Sequence, residues 1–203
     1  MSDLALSNAE TAPAARATPP YRPASYADIA QVHARLGEVI AASPYYNDEF
    51  KAYETARLTR LHLATLIDAD PHHVMVFERD GKMAAFILST PQLGTLWLDW
   101  LYVFPEHRRS PLGLGGMRAF INHWDNGRFH NIATYTRPRN APVTAILGRL
   151  GYRKVGILGQ HAFGEDYLLF ERNLTKVKPG YDSGLNWGLR HRLMRQVRLA
   201  MTR

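Results

Sequence analysis

Hydrophobic residues along this chain switch between the helical and the strand period, and the switches divide it into short elements. Residues 21–25 read as a first strand, after which Asp28 stands as cap to a helix carrying Ile29, Val32, Leu36, Val39 and Ile40 at three-to-four spacing. A second helix is predicted over residues 50–67. Residues 74–78 and 83–89 are apolar runs of strand formers joined through Asp80-Gly81, a pair suited to the positive φ angles of a tight hairpin. Residues 95–104 predict a strand apolar on both faces and therefore central, interrupted by Asp99. A helix follows over residues 114–126, with Met117, Phe120, Ile121 and Trp124 on one stripe and Gly127 placed to end it. A strand over 131–136, a helix over 141–150 ending at Gly151, and strands over 153–157 and 167–172 complete the order.

That order mixes hairpins with crossover helices. It predicts one α/β (α+β) domain with a mixed central sheet of about seven strands flanked by helices. Residues 1–19, rich in Ala, Pro, Ser and Thr, lack the apolar side chains needed to offset their ordering entropy and read as a flexible arm. The domain is expected over 20–174. Past it, residues 175–203 form a tail in which Leu185, Leu189, Leu193, Val197 and Ala200/Met201 share a helical face, with Arg190, Arg192, Arg195 and Arg198 around the rest.

Charge sharpens this division. The net charge is +7, and the tail holds seven basic residues against Asp182, so it alone supplies +6 of it. Such a helix could meet nucleic acid or an acidic protein surface through residues 185–203. No run of about 18 or more apolar residues is present and the start lacks the order of a signal peptide, so a cytoplasmic protein with no membrane partner is expected. The chain has no Cys, which removes disulfides, thiolate nucleophiles and Cys-based zinc sites, and its nine His show no metal-ligand spacing; no metal is expected.

Candidate chemistry concentrates between the buried strand and the helix after it. Residues 103–116 read Val-Phe-Pro-Glu-His-Arg-Arg-Ser-Pro-Leu-Gly-Leu-Gly-Gly, joining strand to helix through basic residues and glycines. Glycines let backbone N–H groups approach an anion, and a helix N-terminus adds donors and a favourable dipole, so a phosphate-bearing ligand is the expected guest. Asp99, a carboxylate in an apolar strand, is the candidate base because burial would raise its pKa; a structural ion pair explains it equally well. Alternation places it on the face of Val103. Trp97 and Trp100 border it as core or as pocket lining.

This loop resembles that of the GNAT superfamily of N-acyltransferases, whose strand ends near Val-x-Pro and is followed by Arg/Gln-x-x-Gly-x-Gly/Ala. Asn140, followed eleven residues later by Gly151-Tyr152, resembles a second pattern of that family. The resemblance spans roughly residues 21–174. It implies acetyl-CoA as co-substrate and an amine, small molecule or protein, as acceptor. It further implies pantetheine along Leu101 and Val103, pyrophosphate at Arg108, Arg109, Gly113 and Gly115, and Asn140 beside the pantetheine. Two positions depart from the pattern: Pro111 lacks an N–H where a glycine is usual, and Leu147 stands where many members carry the Tyr that protonates the leaving thiolate. Those departures frame an alternative, a catalytically lapsed member serving as a structural protein in a multi-subunit assembly such as a virion or other nucleoprotein particle. A third reading keeps the acyltransferase and uses the basic helix to dock on nucleic acid or the ribosome.

Overall fold

In the computed structural model of the protein, residues 19–178 and 188–202 are described. Seven strands form one mixed sheet: β1 (Tyr21–Pro23), β2 (Val74–Arg79), β3 (Lys82–Gln92), β4 (Thr95–Val103), β5 (Asn131–Thr136), β6 (Arg153–Ala162) and β7 (Glu165–Asn173), in the order β1-β2-β3-β4-β5-β7-β6. All neighbours are antiparallel except β4 and β5, which run parallel. Helices α1 (Ile29–Ala42), α2 (Asp48–Arg57), α3 (Arg60–Ala69), α4 (Leu112–Trp124), α5 (Ala141–Arg149) and α6 (Leu189–Ala200) cover it. The mixed sheet of seven strands is the one the element order predicts.

Alternation along the central strands sends side chains to two cores. Met75, Phe77, Ile87 and Leu96 pack with Met117, Phe120 and Trp124 of α4 and Leu147 of α5. Val74, Val76, Phe86 and Leu88 face the other way, against Val32, Leu36 and Ile40 of α1 and Leu63 and Leu66 of α3. Each buried side chain of this size contributes roughly 1.5–3 kcal/mol relative to exposure.

Several boundaries differ from the expectation, each for a local reason. The helix predicted over 50–67 is two helices: the chain turns at buried Leu58, and Thr59 Oγ1 accepts from the His62 N–H at 3.1 Å, starting α3 afresh. Asp28 does not cap α1 through its side chain; its carboxylate accepts from the Ser25 N–H and hydroxyl at 2.7 and 2.9 Å and pairs with Arg22 at 2.8 Å, tightening the turn ahead of the helix. The Asp80-Gly81 hairpin forms with both φ angles positive, 53° and 70°. Leu93-Gly94 and Phe163-Gly164 repeat the geometry with a non-glycine first residue, which extends β3 to Gln92 and β6 to Ala162, beyond their predicted ends. Gly151, at φ +74°, ends α5 where a Cβ would lie 2.6 Å from Arg172 Nη1.

Helix α6 lies against α3. Arg195 is wholly buried there, its Nε 2.7 Å from Asp68, and Arg198 reaches the same carboxylate at 3.1 Å. The arm expected over 1–19 lies outside the described residues apart from Pro19, as does Leu185. Among the described residues no helix is long and apolar enough to cross a membrane.

Candidate active site

Parallel strands β4 and β5 stay together for only three pairs, Thr95 with Asn131, Leu96 with Ile132 and Trp97 with Ala133. Past them the Thr134 hydroxyl donates to the Leu98 carbonyl at 2.8 Å, and the strands diverge. The β5-facing edge of β4 beyond that point has no strand partner, so its backbone groups are available to an extended ligand with amides of its own. A cavity of about 600 Å³ opens in the fork, lined by Leu98, Asp99 and Leu101 of β4, Thr134, Tyr135 and Thr136 of β5, Asn140 and Leu147 from α5 and its cap, Arg108, and Tyr46 from the loop before α2. A cavity of this size takes a small organic ligand.

The strand–loop–helix segment supplies the basic end of the cavity. Arg108 lines it, with its guanidinium 6.0 Å from the Tyr102 ring, and Arg109 beside it is exposed. Pro111 immediately precedes α4, so its missing N–H lies ahead of the helix and the first-turn N–H groups of Leu112, Gly113 and Leu114 are retained. The two glycines do different work. A Cβ on Gly113 would sit 3.7 Å from Val103 Cγ2, an ordinary contact, whereas one on Gly115 would lie 2.8 Å from Pro19 Cδ. The Gly115 N–H donates to the Pro111 carbonyl at 2.8 Å, so that donor is engaged within the helix. Val103 packs into the core with α4 and does not line the cavity.

At the opposite end β4 is irregular. Ser89 pairs with Leu98 and Leu88 with Trp100, leaving Asp99 as an extra residue, a bulge that re-aims its side chain. Regular alternation would have set Asp99 on the face of Val103; the bulge turns it instead toward Thr90 and the α2 side. There its Oδ2 accepts from the Thr90 hydroxyl, and Arg57 of α2 lies 3.9 Å from Oδ1. Burial pushes the Asp99 carboxyl up to about 6, against the opposing pull of Arg57 and Thr90. Arg57 is committed elsewhere, to Glu54, at 2.8 and 2.9 Å, and Glu54, itself buried, also accepts from Trp100 Nε1 at 2.9 Å.

Aromatic rings close this end. Tyr46 stacks on Phe50 with centroids 4.3 Å apart, and Trp97 meets Tyr135 edge-on at 6.1 Å. These rings, with Glu54, Arg57 and Asp99, line a small hollow that shares Tyr46, Leu98, Asp99, Trp100 and Tyr135 with the large cavity. Burial raises the Tyr46 hydroxyl to about 12, with Thr136 at the hydroxyl working against it. Asn140 Nδ2 in turn donates to Thr136 Oγ1 at 3.2 Å, so Asn140, Thr136 and Tyr46 form a polar chain along the wall. Tyr152 sits in the core away from the cavity. Tyr46, Glu54, Arg57 and Thr136 were not singled out by their spacing; the one sequence signal is that Glu54 shares the buried stripe of Phe50 one turn away.

Residues 39–152 match the model of the acetyltransferase (GNAT) family. No curated protein matches the chain in sequence. Solved structures with the same fold include the ribosomal-protein-alanine N-acetyltransferase of Brucella melitensis, 18% identical over 76% of this chain and 99% of that one, TM-score 0.64. A phosphinothricin acetyltransferase of Sinorhizobium meliloti, solved with acetyl-CoA, is 14% identical over 83% and 98%, TM-score 0.62. Ard1 of Thermoplasma volcanium is 17% identical over 78% and 99%, TM-score 0.61.

Proposed function

The chain belongs to the GNAT acetyltransferase family, and on that premise we propose that it transfers an acetyl group from acetyl-CoA to an amine, with Asp99 as general base. The observation that carries this reading is the forked sheet, whose cavity has a basic helix start at one end and a carboxylate with a raised pKa at the other. Acetyl-CoA would lie along the open edge of β4 at Leu101, its pyrophosphate between Arg108, Arg109 and the first turn of α4, its thioester near Asn140. Gly113 keeps backbone approach open; Gly115 and Val103 serve the packing that holds the loop.

The acceptor amine would enter from the Tyr46, Trp97 and Tyr135 side. Asp99 takes one proton from the ammonium, the nitrogen adds to the thioester carbonyl, and the C–S bond breaks as the nitrogen releases its second proton to solvent and the amide forms. With Leu147 unable to donate, we assign protonation of the departing thiolate to the Tyr46 hydroxyl, kept protonated by its burial. Solvent returns a proton to Tyr46 afterwards. Glu54, itself held by Trp100, fixes Arg57 so that it moderates the Asp99 charge without neutralising it.

Calorimetry with acetyl-CoA, followed by thiol release against a panel of primary amines and peptide N-termini, tests this. The expected result is binding at micromolar to millimolar concentration and amine-dependent release of CoA. An absence of binding at saturating acetyl-CoA would overturn it.

A further inference from the structure

Helix α6 sits on the domain the wrong way round for an ordinary surface helix. A charged face turns inward, where Arg195 is completely buried against Asp68 and Arg198 reaches the same carboxylate, with Leu199 the one apolar side chain of the helix packed on the core beside them. Its apolar side faces out: Leu189, Leu193, Val197 and Met201 recur every four residues with Met194 beside them, and all five are exposed, Leu189 at 72% and Met201 at 81%. A lone amphipathic helix gains little from presenting its apolar stripe to water. The two ion pairs fix its rotation, so the stripe is presented by construction.

The charge around the stripe narrows what can cover it. The helix has no acidic residue; Arg190 projects from within the apolar arc and Arg192 borders it, both exposed, while Arg198 on the other border is paired with Asp68, and exposed Arg60 of α3 adjoins Leu199 and Thr202 near the helix end. A second copy of the chain would bring two such cationic helices face to face, which like-charge repulsion opposes. Nucleic acid would satisfy the arginines and leave the apolar arc in contact with water or phosphate. An anionic lipid surface satisfies both: the stripe enters the boundary between headgroups and acyl chains while the arginines reach phosphates, with Arg190 extending its stem through the apolar arc. We propose that α6 is a preformed docking helix that seats the enzyme on an anionic bilayer surface. That no helix among the described residues is long and apolar enough to cross a membrane has no bearing on a helix lying in the plane of the interface, and the expectation of no membrane partner rests on spanning segments alone.

Co-sedimentation of the full chain with vesicles of phosphatidylcholine alone and of phosphatidylcholine with phosphatidylglycerol tests the proposal. The protein is expected to follow the anionic vesicles only, with affinity falling as added salt shortens the screening length. Leu193→Glu with Val197→Glu is expected to weaken vesicle binding about a hundredfold, since each removes an apolar anchor. Arg190→Gln with Arg192→Gln, which leaves the packing on Asp68 untouched, is expected to weaken it about tenfold. Circular dichroism melts report whether either variant has lost its fold. No partition onto anionic vesicles, or equal partition of wild type and a folded Leu193→Glu, Val197→Glu protein, would overturn the proposal. So would self-association, or capture by duplex DNA, abolished by the same substitutions in the absence of vesicle binding.

Discussion

The two ends of the cleft are made of different material. The end we assign to the CoA phosphates is assembled from one continuous segment in which strand, turn, arginines and helix start follow one another, so backbone groups make up much of what it offers a ligand. The end we assign to the acceptor is assembled from side chains of α2, β4, β5 and the loop before α2, brought together over separations of about 45 to 90 residues in sequence, as with Glu54 and Trp100 or Tyr46 and Thr136. Backbone recognition depends on local geometry and tolerates side-chain change; side-chain recognition depends on burial and on a few exact neighbours. The first should therefore lose affinity by degrees and the second should lose turnover abruptly.

The largest effect is expected at Asp99. Asp99→Asn should lower kcat/KM by about two to four orders of magnitude while leaving acetyl-CoA binding intact. Only the ionised form can accept the proton, so wild-type activity should climb as pH rises through about 6 and level off above it, and this limb should vanish in the variant. The same raised pKa carries a stability cost. The folded state holds the proton more tightly than the unfolded chain, so Asp99 favours folding at low pH, and that contribution is lost as pH rises through about 6. Asp99→Asn should accordingly be more stable than wild type at pH 8, by on the order of 1–2 kcal/mol in a denaturant titration. A variant both inactive and destabilised would mark the carboxylate as structural.

Next in size, Tyr46→Phe should reduce kcat about tenfold to a hundredfold with little change in the dissociation constant of acetyl-CoA, because the acceptor end is altered and the phosphate end is not. If Tyr46→Phe instead weakens acetyl-CoA binding, the division between the two ends is misplaced. Arg108→Ala should do the reverse, raising the acetyl-CoA dissociation constant about fivefold to tenfold, more at low salt, and leaving kcat near wild type. Smallest is Gly115→Ala. The new Cβ displaces Pro19 but touches no donor aimed at the ligand, so a change of no more than about twofold in affinity is expected, against a larger loss for Gly113→Pro, which removes a first-turn N–H.

What could be read in the sequence follows the same line. The Asp80-Gly81 hairpin, the central strand and the helix stripe of Met117, Phe120 and Trp124 are local patterns, and all three appear in the fold. The turns at Leu93-Gly94 and Phe163-Gly164 carry no such pattern, because a bulky apolar residue takes the positive-φ position that Asp80, a common turn former, fills in the first hairpin. Exposed β6 has no apolar alternation to betray its length. The split between α2 and α3 depends on a threonine cap inside an otherwise helical period. Asp99 could be singled out as an exception in an apolar strand, but its direction could not, because the bulge is decided by pairing with Leu88 and Ser89. Glu54 and Arg57 resemble any solvated pair three residues apart; only the approach of Trp100 and Asp99 turns them into part of a site.

The three ladder pairs between β4 and β5 have a mechanical consequence. The backbone ladder across the middle of the sheet stops at Trp97 and Ala133, with only the Thr134 hydroxyl bridging to Leu98 beyond it, so the part carrying β1–β4 and the part carrying β5–β7 share a short seam. A ligand seated along the open edge of β4 would act as a splint across that seam. Amide hydrogen exchange in residues 134–136 should then slow on its addition, far more than in the continuous ladder between β2 and β3.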